Sequence, residues 1–440
     1  MNYFVDPSVL HGGTIIVPGD KSISHRALML GAIADGDTKI SGFLAGEDCL
    51  ATRAALEAMG VAFEQLALTE LSVRGVGVHG LRQPEAPLDL GNSGTAMRLF
   101  AGLLSGQDFA TELTGDESLC RRPMSRVIKP LEMMGASIGS SDGLPPLGIR
   151  AGSKLKGIAY AMPVASAQVK SAILLAGLSA EGDVIVIEPA VTRDHTERML
   201  RTMGVNVNSG ETRVTMEGGQ APKGTDIRVP ADLSSAAFPI LAAIISKDSA
   251  VTVKGVGVNP TRTGVLEILR DMGADIAISN VRLYGEEPVA DITARSSHLT
   301  GIDVDPARVS LAIDEFPILF IAAARAAGKT RFSGIGELRV KESDRIAAMA
   351  DGLRALSITV DESEDGAVVH GGKIYGGFIN SFGDHRIAMS FAVAGTVAEW
   401  TVSIQDTDAV ATSFPGFVDC MRSIGAEISE YDTDDGDGPR

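Results

Sequence analysis

With three cysteines, one tryptophan and 5% aromatic residues in 440, the sequence has little material for a stapled or a base-stacking protein. Cys49, Cys120 and Cys420 are odd in number and lack metal-ligand spacing, which argues against a disulfide framework and a structural metal site. The seven histidines include no H-E-x-x-H pattern, and the predicted metal content is none. Trp400 and the scattered phenylalanines form no platform for nucleobases and are assigned to the core. Positive charge is scarce as well: 39 Lys and Arg stand against 56 Asp and Glu, a formal net charge of −17. Such a chain does not coat nucleic acid or an anionic membrane nonspecifically, so any cationic cluster in it is local. No apolar run reaches the roughly 18 residues of a membrane-spanning helix. The opening "MNYFVDPSVLHGG" lacks the basic-then-apolar order of a signal peptide. The expectation is a cytoplasmic α/β protein, a monomer, with neither nucleic acid nor membrane as partner. The acidic, Gly-rich "YDTDDGDGPR" at the end is expected to fray.

What the chain has in abundance is self-similarity. "LEAMGV", "LEMMGA", "LRTMGV", "LRDMGA", "LRALSI" and "MRSIGA" begin at Leu56, Leu131, Leu200, Leu269, Leu353 and Met421, at intervals of 68 to 84 residues. Each reads as the last turn of an amphipathic helix, a stop (Gly60, Gly135, Gly204, Gly273, Ser357, Gly425) and a short strand. Upstream of each lies a second helix: "SHRALMLGAIA", "SGTAMRLFAGLL", "AQVKSAILLAGL", "SAAFPILAAII", "EFPILFIAAARAA" and "HRIAMSFAVAG". These are apolar almost all round and are therefore buried. Six such units predict two domains of three repeated β/α units each, over residues 20–233 and 234–440. The strand in residues 1–19, "GTIIVPGD", resembles "TDIRVPAD" and is expected to pair with the second half, so that the chain crosses between domains twice.

The residues that open the buried helices are unusual. They include Lys21, Ser22 and Arg26; "GNSGT" at 91–95; "SAQVK" at 166–170; "DLSS" at 232–235; Asp314 and Glu315; and "GDHR" at 383–386. A helix amino end carries free N–H groups and about half a positive charge, and so attracts anions. Ser, Asp and Asn there are ordinary caps. Capping does not account for Lys21, Arg26, Gln168 or Arg386, because cations are disfavoured at that end unless an anion compensates. Further cations flank these elements: Arg121, Arg122 and Arg126 in "CRRPMSR", Arg193 in "TRDHTER", and Arg339, Lys341 and Arg345 beside Glu342 and Asp344 in "ELRVKESDR". A solvated salt-bridge network is the simplest alternative for the last stretch. The pattern predicts helix starts converging on a cleft between the domains that holds phosphate or carboxylate.

Two phosphate-loop look-alikes fail. "GVGVHG" at 75–80 is followed by Pro84 and Pro87, which forbid the required helix, and "AAGKT" has Ala323 where the first glycine belongs.

The motifs "PGDKSISHRAL", "LGNSGTAMRL", "RRPM", "SAQVKSAILLAGL", "TRDHTE", "DEFPIL", "LRVKESDR" and "GDHRIAMS", in this order from residue 18 to about 418, resemble the enolpyruvyl transferases, most closely the branch acting on shikimate 3-phosphate. The resemblance implies the enolpyruvyl transferase fold. It implies transfer of the enolpyruvyl group of phosphoenolpyruvate to the 5-hydroxyl of shikimate 3-phosphate with release of phosphate, and no cofactor. Carried over residue by residue, Lys21 contacts both substrates. Ser22, Arg26, Ser166, Ala167, Gln168 and Arg193 serve shikimate 3-phosphate. Gly94, Arg122 and Gln168 serve phosphoenolpyruvate, with Arg345 and Arg386 on its carboxylate. Asp314 takes the 5-hydroxyl proton beside Lys341, and Glu342 protonates the methylene carbon. Thr412 and Ala167 stand where many members carry lysine and serine; both departures occur with "TRDH" in a branch often tolerant of glyphosate. Gly94 resembles sensitive members, since tolerant ones often carry alanine there. The branch acting on UDP-N-acetylglucosamine usually carries a reactive cysteine several residues before an Arg-Pro pair; Cys120 lies only two before Arg122 and is read as a bystander.

Overall fold

The outer helices stop where the repeated glycine falls, for a stereochemical reason. They are Glu47–Ala58, Ser125–Met133, His195–Thr202, Gly264–Asp271, Arg345–Ala355 and Phe417–Arg422. Just past them Gly60, Gly135, Gly204, Gly273 and Gly425 adopt φ of 90°, 105°, 83°, 99° and 106°, a left-handed conformation that turns the chain out of the helix. In the fifth repeat Ser357 takes φ 69°, at a cost of about 1–2 kcal/mol that glycine avoids. In the computed structural model of the chain, residues 1–210 and 212–431 are described; of the stretch expected to fray, Tyr431 instead ends a strand paired with Asn2, and 432–440 lie outside the described residues.

Six inner helices carry the apolar sequences: α1 (Lys21–Ala32), α2 (Gly94–Leu104), α3 (Ala167–Gly177), α4 (Leu233–Ile245), α5 (Phe316–Arg325) and α6 (His385–Gly395). Their burial is nearly complete, as expected of helices without a polar face; in α4 every residue from Leu233 to Ile244 is buried. The repeats follow a β-α-β-α-β-β plan on six small sheets among the described residues; the fifth sheet has three strands, and the sixth takes one of its four, Asn2–Asp6, from the start of the chain. In the second repeat Leu88–Asp89 runs parallel to Thr111–Thr114 across α2, and Leu144–Ile149 and Ile138–Ser141 extend the sheet antiparallel. The third repeats this with Ala159–Ala161, Asp183–Ile187, Arg213–Glu217 and Val207–Ser209.

Two lead strands are exchanged. Gly13–Ile15, just before α1, pairs in parallel with Val251–Val253 of the fourth repeat. Asp226–Arg228, just before α4, pairs in parallel with Lys39–Ser41 of the first. The sequence reading did not find Asn2–Asp6, which lies antiparallel between Val402–Gln405 and Glu427–Tyr431.

The chain groups into two compact units. One contains Gly19–Pro230 together with Leu283–Glu287; the other contains Met1–Pro18, Ala231–Arg282 and the chain from Pro288 onward. The short excursion at Leu283–Glu287, the turn of a long hairpin, makes four passages of the chain between units where two were expected. Each unit has its own core. In the first, Leu28, Leu99 and Leu174 from the three inner helices are fully buried; in the second, Ile240, Phe320 and Phe391 are. Burying each such side chain contributes about 1.5–3 kcal/mol. Helices α2 and α3 pack with almost no gap: a Cβ on Gly102 would stand 2.1 Å from the carbonyl oxygen of Ala172.

Candidate active site

In the N-terminal unit the helix starts are capped in the ordinary way. Asp20 accepts from the N–H of Ile23 at 2.8 Å, Ser93 from Ala96 at 3.2 Å and Ser166 from Val169 at 3.3 Å. The cations are additional to these caps, and side chains tie the three starts together. His25, buried in α1, bridges Thr52 Oγ1 at 2.8 Å and the cap Ser93 at 3.3 Å. Burial, and then the neighbouring Lys21 and Arg26 cations, hold this imidazole well below its usual range, so it is neutral at pH 7. Arg26 donates to the Ser22 carbonyl (2.9 Å), to Thr196 Oγ1 (2.7 Å) and to Ser171 Oγ (2.7 Å). Burial pushes its guanidinium down to about 10 against the pull of Glu197 and Asp20, and the Arg193 cation adds to the lowering. Arg193 therefore stands in the same electrostatic neighbourhood as Arg26. Lys21 pairs with Asp48 at 2.5 Å.

The residues expected on the phosphoenolpyruvate side also meet. Arg122 is buried and donates to Asn92 Oδ1 and, at 3.3 Å, to Ser118 Oγ. Gln168 accepts from Arg98 Nη1 at 2.9 Å and donates to Thr95 Oγ1 at 2.9 Å. Arg98 also donates to the Gly94 carbonyl at 3.1 Å. A Cβ on Gly94 would lie 2.8 Å from Arg98 Nη1 and 3.1 Å from Arg122 Nη1, so Gly94, Arg122 and Gln168 share one small neighbourhood. Arg98 and Asp48 were missed by sequence reasoning. Arg98 had a signal, as an arginine inside an apolar helix, but Asp48 looks like any acid in a first helical turn.

The C-terminal unit holds a second network. Asp314 Oδ1 lies 3.5 Å from Lys341 Nζ and 3.7 Å from Arg345 Nη1, and its carbonyl accepts from Arg386 Nη1 at 2.8 Å. Arg345 is 1% exposed and pairs with Glu342 at 2.6 Å and with Asp384 at 2.8 Å. Burial alone would lower the Arg345 guanidinium; the Asp384 and Glu342 carboxylates outweigh it and hold it raised. Asp384 in turn is held below the usual carboxylate range by Arg345, although burial opposes this. Asp384 also accepts from Ser343 Oγ (3.0 Å) and caps α6 through the Arg386 N–H (2.9 Å), so one buried carboxylate orients three groups. Glu315 is buried behind, accepting from Ser234 and lying 3.5 Å from Arg262 and 3.8 Å from Arg386.

These contacts divide the alternatives left open by "DE" and "ELRVKESDR". Helix α5 begins at Phe316 with Glu315, not Asp314, in the cap position, and Glu315 makes no side-chain cap bond. Arg339 makes the peripheral salt bridges, to Asp344 at 2.7 Å and Glu362 at 3.0 Å, whereas Lys341 and Arg345 turn to Asp314 and Asp384, and Glu342 pairs with Arg345. Thr412 is buried and donates to Ala409 O at 2.7 Å. Cys120 Sγ contacts only the adjoining turn at Gly115 O and Thr114 among its described partners. Among the described residues no group of three His, Cys, Asp or Glu is placed to hold a metal ion, and no helix is long and apolar enough to cross a membrane.

The family model of EPSP synthase (3-phosphoshikimate 1-carboxyvinyltransferase) matches residues 6–421. The chain belongs to the EPSP synthase family. A 3-phosphoshikimate 1-carboxyvinyltransferase of Methylococcus capsulatus is 58% identical over 417 residues, covering 94% of this chain and 95% of that protein. One from Legionella pneumophila (strain Lens) is 53% identical over 431 residues, 98% of this chain and all of that protein. A solved EPSP synthase from Acinetobacter baumannii superposes with a TM-score of 0.86 at 50% identity, covering 98% of this chain and 100% of that one. The repeated fold is thus the EPSP synthase fold, and every motif that suggested the family lies inside the matched region or within a few residues of it.

Proposed function

We propose that this member of the EPSP synthase family transfers the enolpyruvyl group of phosphoenolpyruvate to the 5-hydroxyl of shikimate 3-phosphate. The observation that carries the reading is the run Lys341–Asp314–Arg345–Glu342: two carboxyl groups of different surroundings joined through one buried guanidinium. The chemistry calls for such a pair. The methylene carbon must gain a proton before the adjacent carbon accepts an oxygen, and the attacking hydroxyl must lose one. Asp314 takes the hydroxyl proton, with the Lys341 ammonium stabilising the oxygen. Glu342 gives its proton to the methylene, making it a methyl group. Arrival of the substrate carboxylate on Arg345 and Arg386 displaces Glu342 from Arg345 and frees it for this task. The new C–O bond yields a tetrahedral intermediate. Loss of phosphate, which carries off the proton held by Asp314, and return of a methyl proton to Glu342 then regenerate the double bond and both carboxyl groups.

Lys21 serves both substrates. Ser22, Arg26, Ser166, Ala167, Gln168 and Arg193 take shikimate 3-phosphate; Gly94, Arg122 and Gln168 take phosphoenolpyruvate. Each charge-assisted hydrogen bond contributes about 1.5–3 kcal/mol, and several together offset the desolvation of two polyanions. The reading takes the protein as a cytoplasmic monomer acting on small molecules without a cofactor. Phosphate release is the test. Turnover is expected with shikimate 3-phosphate plus phosphoenolpyruvate and none with UDP-N-acetylglucosamine; the reverse preference would refute the assignment.

A further inference from the structure

Lys170 is the charged residue of "SAQVK", has no part in the reaction as described, and is 1% exposed. Its ammonium makes contact in three directions: Glu188 Oε2 at 2.8 Å, Glu197 Oε1 at 2.8 Å and the Thr192 carbonyl at 3.5 Å. Thr192 Oγ1 donates back to Glu188 Oε1. Both carboxylates are buried. A lysine has three N–H donors and here spends all of them on three separate segments: the end of strand Asp183–Ile187, the loop before Arg193, and the outer helix His195–Thr202.

The loop, the outer helix and α3 itself each carry something the phosphate side uses. Ser166, Ala167 and Gln168 lie one turn before Lys170 on or at the start of α3. Arg193 directly follows Thr192 in the chain. Thr196, beside Glu197, accepts the Arg26 bond at 2.7 Å, and both it and Arg26 engage Ser171, the residue after Lys170. Stability alone does not account for such a cluster, because replacing buried ion pairs by apolar groups of similar volume is often neutral or stabilising. Accordingly, we propose that Lys170 is a positioning residue: by tying Glu188, Thr192 and Glu197 to α3 it fixes the spacing of Ser166, Arg193 and Arg26, and so sets the affinity for the phosphate of shikimate 3-phosphate. This rests on the function reading above.

The test is the triple variant K170M/E188Q/E197Q, which removes the ammonium bridge together with both of its carboxylates and leaves the buried Arg26, which Glu197 also faces, with Asp20 as counter-charge. A misplacement of about 1 Å can cost of order 100-fold. The expected result is a melting temperature near that of the wild type. Calorimetric affinity and KM for shikimate 3-phosphate should weaken by about ten-fold or more, while kcat and KM for phosphoenolpyruvate stay within about three-fold. A merely structural role would instead lower kcat and raise both KM values together with a falling melting temperature, and that result overturns the proposal. So does an unchanged shikimate 3-phosphate affinity. If the triple variant does not fold, Glu188→Gln decides, since it leaves Lys170 paired with Glu197: a several-fold rise confined to the shikimate 3-phosphate KM supports the proposal, and no rise refutes it. A wild type that binds shikimate 3-phosphate without turnover refutes the function reading and leaves the affinity comparison valid; one that does not bind it refutes both.

Discussion

Gly94→Ala separates the proposed phosphoenolpyruvate contacts from the fold that carries them. The added Cβ would lie 2.8 Å from Arg98 Nη1 and 3.1 Å from Arg122 Nη1, and 3.9 Å from Arg122 Cδ. Comfortable contact starts at about 3.5 Å, so the two guanidinium ends must retreat by roughly 0.4–0.7 Å. Both are far ends of long side chains, and Gly94 is the first residue of α2 without a left-handed φ, so the backbone need not move. Alanine is even the better helix former, by up to about 1 kcal/mol. The retreat has consequences for binding, however. Arg98 Nη1 also holds the Gly94 carbonyl at 3.1 Å and Gln168 Oε1 at 2.9 Å, so its displacement carries Gln168 with it while Arg122 shifts independently. Losing about half of one charge-assisted bond, near 1–1.5 kcal/mol, is close to ten-fold in affinity. Steady-state phosphate release should therefore show KM for phosphoenolpyruvate raised about ten-fold, a smaller rise in KM for shikimate 3-phosphate through Gln168 alone, and a melting temperature equal to or above that of the wild type. An unchanged phosphoenolpyruvate KM in a folded Gly94→Ala protein would show that Gly94, Arg98 and Arg122 do not border that substrate.

Asp314→Ala should reduce kcat by about 10²–10⁴-fold with shikimate 3-phosphate binding retained by calorimetry; undiminished turnover would remove Asp314 as the base. Asp384→Asn should destabilise the protein by about 3–5 kcal/mol at pH 7, because it strips the buried Arg345 of its best partner. Since Arg345 holds the Asp384 carboxyl below the ordinary value near 3.9, that stability is present above about pH 4 and is lost as pH falls through the lower folded value. Urea unfolding at pH 7, 5 and 3.5 should show the gap to the wild type narrowing only at the most acid point, and a constant gap would refute the pairing. Gly102→Ala brings a methyl 2.1 Å from the Ala172 backbone oxygen, which cannot rotate aside, so α2 and α3 must separate. A loss of about 3 kcal/mol is expected in denaturant unfolding, at the upper end for overpacking, and a neutral result would contradict the close approach of the two helices.

The division between what the sequence reveals and what it hides follows from how each signal is generated. Helix stops are local: a left-handed residue is required within one turn of the helix end, so Gly60, Gly135, Gly204, Gly273 and Gly425 announce themselves, and even Ser357 is found through its register with them. The inner helices are nearly as plain, because an apolar surface on all sides admits only burial. Lys21, Arg26, Arg122, Gln168, Arg345 and Arg386 stood out because cations and long polar side chains run against the helix dipole or against the acidic average, and an anomaly of that kind requires a partner. The partners themselves could not be read. Asp48, Glu188, Glu315 and Asp384 are acids near helix starts or strand ends, the places where capping and the dipole already favour them, and nothing local distinguishes a cap from a buried counter-ion. Asp384 is both at once, capping α6 and pairing with Arg345. Lys170 was visible only as the end of a motif, since its two carboxylates lie 18 and 27 residues further along the chain and meet it only when a strand end and an outer helix pack beside α3. The strand Asn2–Asp6 was hidden for the same reason: its partners begin some 400 residues away. The cations of this site are therefore a property of sequence, whereas the arrangement that makes them selective is a property of the fold, and substitutions at the hidden acids should alter specificity before they alter catalysis.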